Sequence, residues 1–192
     1  MNTGLFLSGL GMSATLFVSA CGALAADQET LIPVQQGEMP TDTRAGVTFI
    51  SEELRDPPFE FAGITLSGSA LSSADLTGGP TVVNFWASWC EPCRAELPEL
   101  AQAAGALGPS GVNFLGINVE DDANAAAEFA EQMPYPSIRD TSGEILASVP
   151  DVPPSALPIT VMLDTQGRIA ARIIGPTTAE TLKGLAAQLG SA

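Results

Sequence analysis

Cys90-Glu91-Pro92-Cys93 stands just beyond a compact run of β-formers, Thr81-Val82-Val83-Asn84-Phe85-Trp86, and opens a helical segment that runs from Arg94 to about Ala106. The apolar run reads as a strand buried on both faces. A helix that begins where such a strand ends can hold a C-x-x-C pair within bonding reach, and that setting is a specific sign of redox chemistry. The unpaired N–H groups and the dipole of the helix start stabilise a thiolate, the species that attacks disulfides. Cys90 is therefore expected to be exposed and nucleophilic. Cys93, one turn in, is expected to be less exposed and to act as the resolving thiol. Pro92 suits the first turn, where its missing N–H costs nothing. Glu91 pulls against the thiolate and so favours the disulfide over the dithiol, which tilts the pair towards a reductant. The competing readings are a structural disulfide and half of a zinc site.

Residue counts narrow these readings. The chain holds three cysteines (Cys21, Cys90 and Cys93) and no histidine. A cysteine-only zinc site needs four thiolates and the mixed sites need histidine, so no metal is expected. The missing histidine also removes the usual general base and any Ser-His or Cys-His dyad. No Gly-rich loop follows a strand, so no small-molecule cofactor is expected. With 7 basic and 22 acidic residues the formal charge is −15, and no charged side chain precedes Asp27. Such a surface repels phosphate backbones, which argues against a nucleic-acid partner. It would suit a basic protein partner, although solubility alone accounts for it.

Residues 1–26 are uncharged and mostly apolar and end in small residues, as in a signal peptide, although the start lacks Lys or Arg. Val18-Ser19-Ala20-Cys21 resembles the bacterial lipobox, in which the cysteine becomes the lipidated first residue of the mature protein. The alternatives are cleavage after Ala23-Leu24-Ala25 and an uncleaved membrane anchor. Lipidation of Cys21 is the preferred reading, because a lone extra thiol in an exported chain needs a reason. All three readings export the protein to the outer face of the cytoplasmic membrane or a periplasm-equivalent space. Residues 27–58 lack sustained periodicity and read as a tether or N-terminal extension, with Val47-Thr48-Phe49-Ile50 fit for a short strand.

Residues 59–192 alternate short apolar and helical segments. Val112–Val119 reads as a second buried strand, and Asp121 or Asp122 can cap a helix through Phe129. Ile159–Leu163 and Arg168–Ile174 read as an antiparallel hairpin about the turn Asp164-Thr165-Gln166-Gly167. Thr177 and Glu180 fit a capping box ahead of the stripe Leu182, Leu185, Ala186 and Leu189. The order β-α-β-α-β-β-α predicts an α/β domain, a central sheet covered by helices.

The segment Asn84-Phe85-Trp86-Ala87-Ser88-Trp89-Cys90-Glu91-Pro92-Cys93-Arg94-Ala95-Glu96-Leu97-Pro98 closely resembles the TlpA/ResA-like branch of the thioredoxin superfamily. The resemblance runs from about Asp56 to the C-terminus and includes Tyr135-Pro136, Asp140, Leu157-Pro158-Ile159-Thr160, Leu163-Asp164 and Gly175-Pro176. It implies a thioredoxin-like fold with a central mixed sheet, and a cis-proline at Pro158 facing the disulfide. Proline alone makes cis peptides cheap, and its missing N–H suits a strand start. The backbone of Leu157 would then be free to pair with an extended substrate. Trp89, Glu91 and Pro92 complete the implied contact surface, while Trp86 reads as core. The resemblance also implies proton handling by Glu96; a solvated helix glutamate is the alternative. Pro98 is expected to kink the helix.

ResA-like proteins reduce the haem-site cysteines of apocytochrome c with electrons from a membrane donor of the CcdA/DsbD kind, so those are the partners the resemblance implies. Other exported relatives oxidise or isomerise disulfides. A peroxidase would need Thr or Ser where Ala87 stands, a copper chaperone would need histidine, and a non-catalytic binding lipoprotein would not need an intact C-x-x-C.

Overall fold

The computed structural model describes residues 46–76, 78–153 and 155–190. The leader with Cys21, and the tether up to residue 45, lie outside the described residues. In chain order the elements are β1 (Val47–Phe49), β2 (Ala62–Ile64), β3 (Ala70–Ser72), β4 (Thr81–Trp86), α1 (Glu91–Leu107) and β5 (Asn113–Val119). They continue with α2 (Ala123–Ala130), β6 (Ser137–Asp140), α3 (Glu144–Ala147), β7 (Ile159–Leu163), β8 (Ile169–Ile174) and α4 (Ala179–Gln188). Six strands form one mixed sheet in the order β1-β8-β7-β4-β5-β6. β4 runs parallel to β5 and antiparallel to β7, and β1 adds to the outer edge antiparallel to β8. β2 and β3 form a separate hairpin.

Every residue of β4 is buried, and the strand divides its side chains between two cores. Val83 and Phe85 join Leu115, Ile117, Ile138, Leu146 and Ile159 on one face. Val82 joins Leu100, Met162, Leu182 and Leu185 under α1 and α4 on the other. Trp86, at the end of the strand, enters a third cluster with Cys90, Cys93, Leu97 and Phe129. Its indole N–H donates to Ser137 Oγ at 3.2 Å. A Cβ on Gly116 would overlap both of those atoms, so only glycine permits this approach.

The helices begin where the sequence offers caps. Asp122 Oδ1 accepts from the N–H groups of Asn124 and Ala125 at 3.0 Å and starts α2. α4 departs from expectation: its N-cap is Thr178, not Thr177, and the Thr177–Glu180 capping box does not form. The N–H of Thr177 is taken by a carboxylate of α1 instead, so the helix starts one residue later. β6 and the short α3 were not anticipated from sequence, because Ser137-Ile138-Arg139-Asp140 has too little apolar patterning to announce a strand.

The described part of the extension is bound into the sheet. Ile50 N–H donates to the carbonyl of Ala170 and Phe59 N–H to that of Gly167, each at 2.8 Å. Arg55 Nη1 meets Asp164 Oδ2 at 3.0 Å, and Arg168 Nε meets the same oxygen at 2.8 Å. Burial alone would raise the Asp164 carboxyl. The N–H groups of Arg168 and Gln166, with the Arg55 and Arg168 guanidinium groups, outweigh it and hold the group below the ordinary range. A carboxylate with a depressed pKa stabilises the fold above its unfolded pKa, and this is lost as pH falls through the folded value. Asp164→Asn leaves the buried Arg55 guanidinium without its counter-charge, while Arg168 keeps Glu52 at 3.0 Å, and is expected to cost about 3 kcal/mol at neutral pH. Urea unfolding at a series of pH values checks this. The gap between parent and variant should close as pH drops below about 4.

Candidate active site

Cys90 and Cys93 are joined as a disulfide with their Cα atoms 5.3 Å apart. Cys90 is the N-cap of α1, and its Sγ accepts the Cys93 N–H at 3.3 Å. The expected contrast in exposure is absent: Cys90 is 4% exposed and Cys93 2%. Cys90 is not exposed as expected, because as half of the disulfide it belongs to the buried cluster that includes Trp86, Ala87 and Leu97. Glu91 and Pro92 are exposed on the first turn. Trp89 is 62% exposed, with its indole N–H donating to the Glu120 carbonyl at 3.4 Å.

The Leu157–Pro158 peptide bond is cis. Pro158 is buried, and its carbonyl accepts the Gly175 N–H at 2.9 Å. Leu157 packs against the cluster that holds the disulfide. Among the described residues its backbone N–H and carbonyl make no hydrogen bond. An unpaired extended backbone beside a disulfide can receive another strand.

Glu96 lies in the interior, 2% exposed, on the same face of α1 as Cys93. Asn84 Nδ2 donates to its Oε1 at 2.9 Å and to Thr160 Oγ1 at 3.1 Å. The Thr177 N–H donates to its Oε2 at 2.9 Å. Burial pushes the Glu96 carboxyl up to about 7, against the pull of those two donors. A carboxyl with that pKa can take up or release a proton near neutrality. Glu99, one residue short of the next turn, accepts the Ala179 N–H at 2.8 Å, so α1 carries two carboxylates that hold the approach to α4.

Sequence reasoning missed the partners of these groups. Asn84 carried a signal: an amide in the middle of a strand buried on both faces must find polar partners. Thr160 and Thr177 carried none, since neither is near Glu96 in the chain. Asp121 was seen only as a helix cap. In the structure Asp122 has that place, and Asp121 turns instead to Ser88, ahead of the disulfide.

Residues 51–189 match the Redoxin family. ResA of Bacillus subtilis, a thiol-disulfide oxidoreductase, is 30% identical over 136 residues, 70% of this chain and 73% of that protein. DsbE of Pseudomonas aeruginosa, a thiol:disulfide interchange protein, is 35% identical over 62% of this chain; the match spans 64% of its length, a little under two thirds. A secreted thiol-disulfide isomerase from Corynebacterium glutamicum superposes with a TM-score of 0.72 at 30% identity, covering 82% of this chain and 98% of that one. The chain is a ResA-like member of the thioredoxin superfamily. Like its relatives, this ResA-like protein is a thiol–disulfide oxidoreductase, with a redox disulfide at Cys90 and Cys93. No helix among the described residues is long and apolar enough to cross a membrane.

The raised pKa of Glu96 has a thermodynamic consequence. Its folded value lies above its unfolded one, so the stability it contributes is full below about pH 4.5 and is lost as pH rises to about 7. At ~1.4 kcal/mol per pKa unit this amounts to roughly 3 kcal/mol. Glu96→Gln cannot ionise. The difference in unfolding free energy between parent and variant, measured from pH 4 to 8, should therefore follow that slope, and a flat difference would show that Glu96 does not titrate there.

Proposed function

We propose that this protein is an exported reductant of protein disulfides, lipid-anchored through Cys21, and that its substrates include the haem-site cysteines of apocytochrome c. The observation that carries the direction is the pair of acidic side chains that α1 carries next to its cysteines, exposed Glu91 on the first turn and buried Glu96 on the second. Negative charge near a thiolate raises its pKa and favours the disulfide over the dithiol, which lowers the reduction potential. The unpaired backbone of Leu157 and the exposed Trp89 support a protein or peptide substrate in extended form.

In the proposed cycle the Cys90 thiolate attacks one sulfur of the substrate disulfide. A Cys90–substrate bond forms, the substrate S–S bond breaks, and the first substrate sulfur leaves as a thiolate. Glu96, as carboxylate, accepts the Cys93 proton. The Cys93 thiolate then attacks Cys90, which closes the Cys90–Cys93 bond and releases the second substrate sulfur. The substrate gains two electrons and the pair loses two, which a membrane donor of the CcdA/DsbD kind restores. Pro158 and Leu157 present the substrate strand, and Glu91, Pro92 and Trp89 border it.

The likeness to a secreted isomerase favours a second reading, an exported oxidase or isomerase. The reduction potential separates the two. Equilibration of the full chain with dithiothreitol or glutathione buffers, followed by Trp86 and Trp89 fluorescence, should give about −270 mV for a reductant. A value near −120 mV would make it an oxidant and overturn the proposal. Cys90→Ser should abolish turnover, and Cys93→Ser should accumulate a mixed disulfide with substrate, visible on non-reducing gels.

A further inference from the structure

The segment between β4 and Cys90 is held by a carboxylate outside the redox site. Asp121 follows β5, and both its oxygens are saturated by donors. Oδ2 accepts the Ser88 N–H and Asn118 Nδ2, the latter at 2.8 Å. Oδ1 accepts Ser88 Oγ at 2.7 Å and the Asp122 N–H at 2.8 Å. Ser88 thus gives both of its donors to one side chain, and its carbonyl is met at 3.4 Å by Arg94 Nη1. The next residue is Trp89, whose indole N–H reaches the Glu120 carbonyl. Glu120 has a left-handed backbone, φ +45°, a conformation costly for a residue with a side chain. The Glu120–Asp121 pair therefore grips Ser88 and Trp89 together.

Trp89 is 62% exposed and belongs to none of the three buried clusters, so core packing does little to fix it. Its orientation depends on its backbone and on the one hydrogen bond of its indole. We propose that Asp121 is a positioning residue: by clamping Ser88 it holds Trp89 upright beside the disulfide as a preformed contact for the substrate. It acts through Trp89 on recognition and does not touch the reacting sulfurs. A preformed contact spares the ordering cost that a mobile side chain would meet on binding. An amide at 121 keeps one acceptor oxygen and can donate only to the Ser88 hydroxyl, leaving a donor unmatched on its other side, so Asp121→Asn should lose part of what Asp121→Ala loses.

The inference rests on thiol–disulfide exchange at Cys90 and not on its direction. The parent's rate tests that chemistry, and the ratio of variant to parent tests Asp121. The full chain with Cys93→Ser isolates Cys90. Its mixed-disulfide formation with a peptide bearing an internal disulfide is compared with alkylation of Cys90 by iodoacetamide, read by peptide mass in alkali, where the thiol is fully ionised. Asp121→Ala should slow the peptide reaction about tenfold, the cost of one charged hydrogen bond, Asp121→Asn should slow it less, and both should leave alkylation within about twofold. Ser88→Thr, which keeps both donors, should react like the parent, and Ser88→Ala should fall between. In a Trp89→Ala background, Asp121→Ala should add no further loss, because both changes remove one contact. An unchanged peptide rate, an equal loss with both reagents, or losses that add in the double variant would each overturn the proposal.

Discussion

A carboxylate in an apolar interior must be given donors, and the cost of failing to do so is several kcal/mol. Glu96 imposes that requirement on this fold. Its two oxygens take the amide of Asn84 from β4 and the backbone of Thr177 from the turn before α4. Asn84 spends its other amide hydrogen on Thr160 of β7. Two adjacent strands, the helix that carries the disulfide, and the start of the last helix thus meet at one group. Thr177 lies two residues beyond Gly175, whose N–H binds the carbonyl of Pro158. The cis peptide and the C-x-x-C turn come from distant parts of the chain, and this short polar circuit sets them in register.

The same circuit explains why α4 starts at Thr178. Helix starts leave N–H groups without intrahelical partners, and here Glu96 and Glu99 of α1 supply acceptors to Thr177 and Ala179. α1 and α4 are joined by these bonds as well as by apolar packing of Leu100 and Ala103 against Leu182 and Ala186. A hydrophobic contact alone fixes which faces meet. The charged acceptors fix the sliding register, since a shift of one turn would strand a buried carboxylate.

Elements with strong local signals were legible in the sequence. β4 and β5 are continuous apolar runs, the β7–β8 hairpin has its Asp-Thr-Gln-Gly turn, and Cys90 and Cys93 mark the helix start. The resemblance carried by the Trp89–Cys93 segment supplied Pro158, which no local pattern distinguishes from the other prolines. What stayed hidden was decided by partners far away in the chain. Glu96 reads the same whether solvated or buried, until Asn84 and Thr177 are seen around it. The Thr177–Glu180 capping box was a sound local motif, defeated because the Thr177 N–H had a charged acceptor 81 residues away. Asp121 and Asp122 are both good caps by type, and only the position of Ser88 separates their roles.

The disulfide turn is thus held from inside and from outside. Beneath it, Glu96 ties α1 to the sheet; above it, Asp121, Glu120 and Arg94 fix the donors and the carbonyl of the approach to Cys90. Against that restraint, two groups near the disulfide stay open: the backbone of Leu157, which makes no hydrogen bond among the described residues, and the exposed ring of Trp89. One offers directional hydrogen bonds and the other offers apolar area without them. A strand laid along Leu157 gains affinity from its main chain and little from its sequence. Under the proposed function, a site built this way would take many sequences and discriminate by shape, accepting a segment that can extend and bring its sulfur to Cys90. A folded disulfide buried in its own domain cannot do so. On the proposed exchange, the rigid turn would therefore favour substrates that are unfolded or loosely folded around the cysteines.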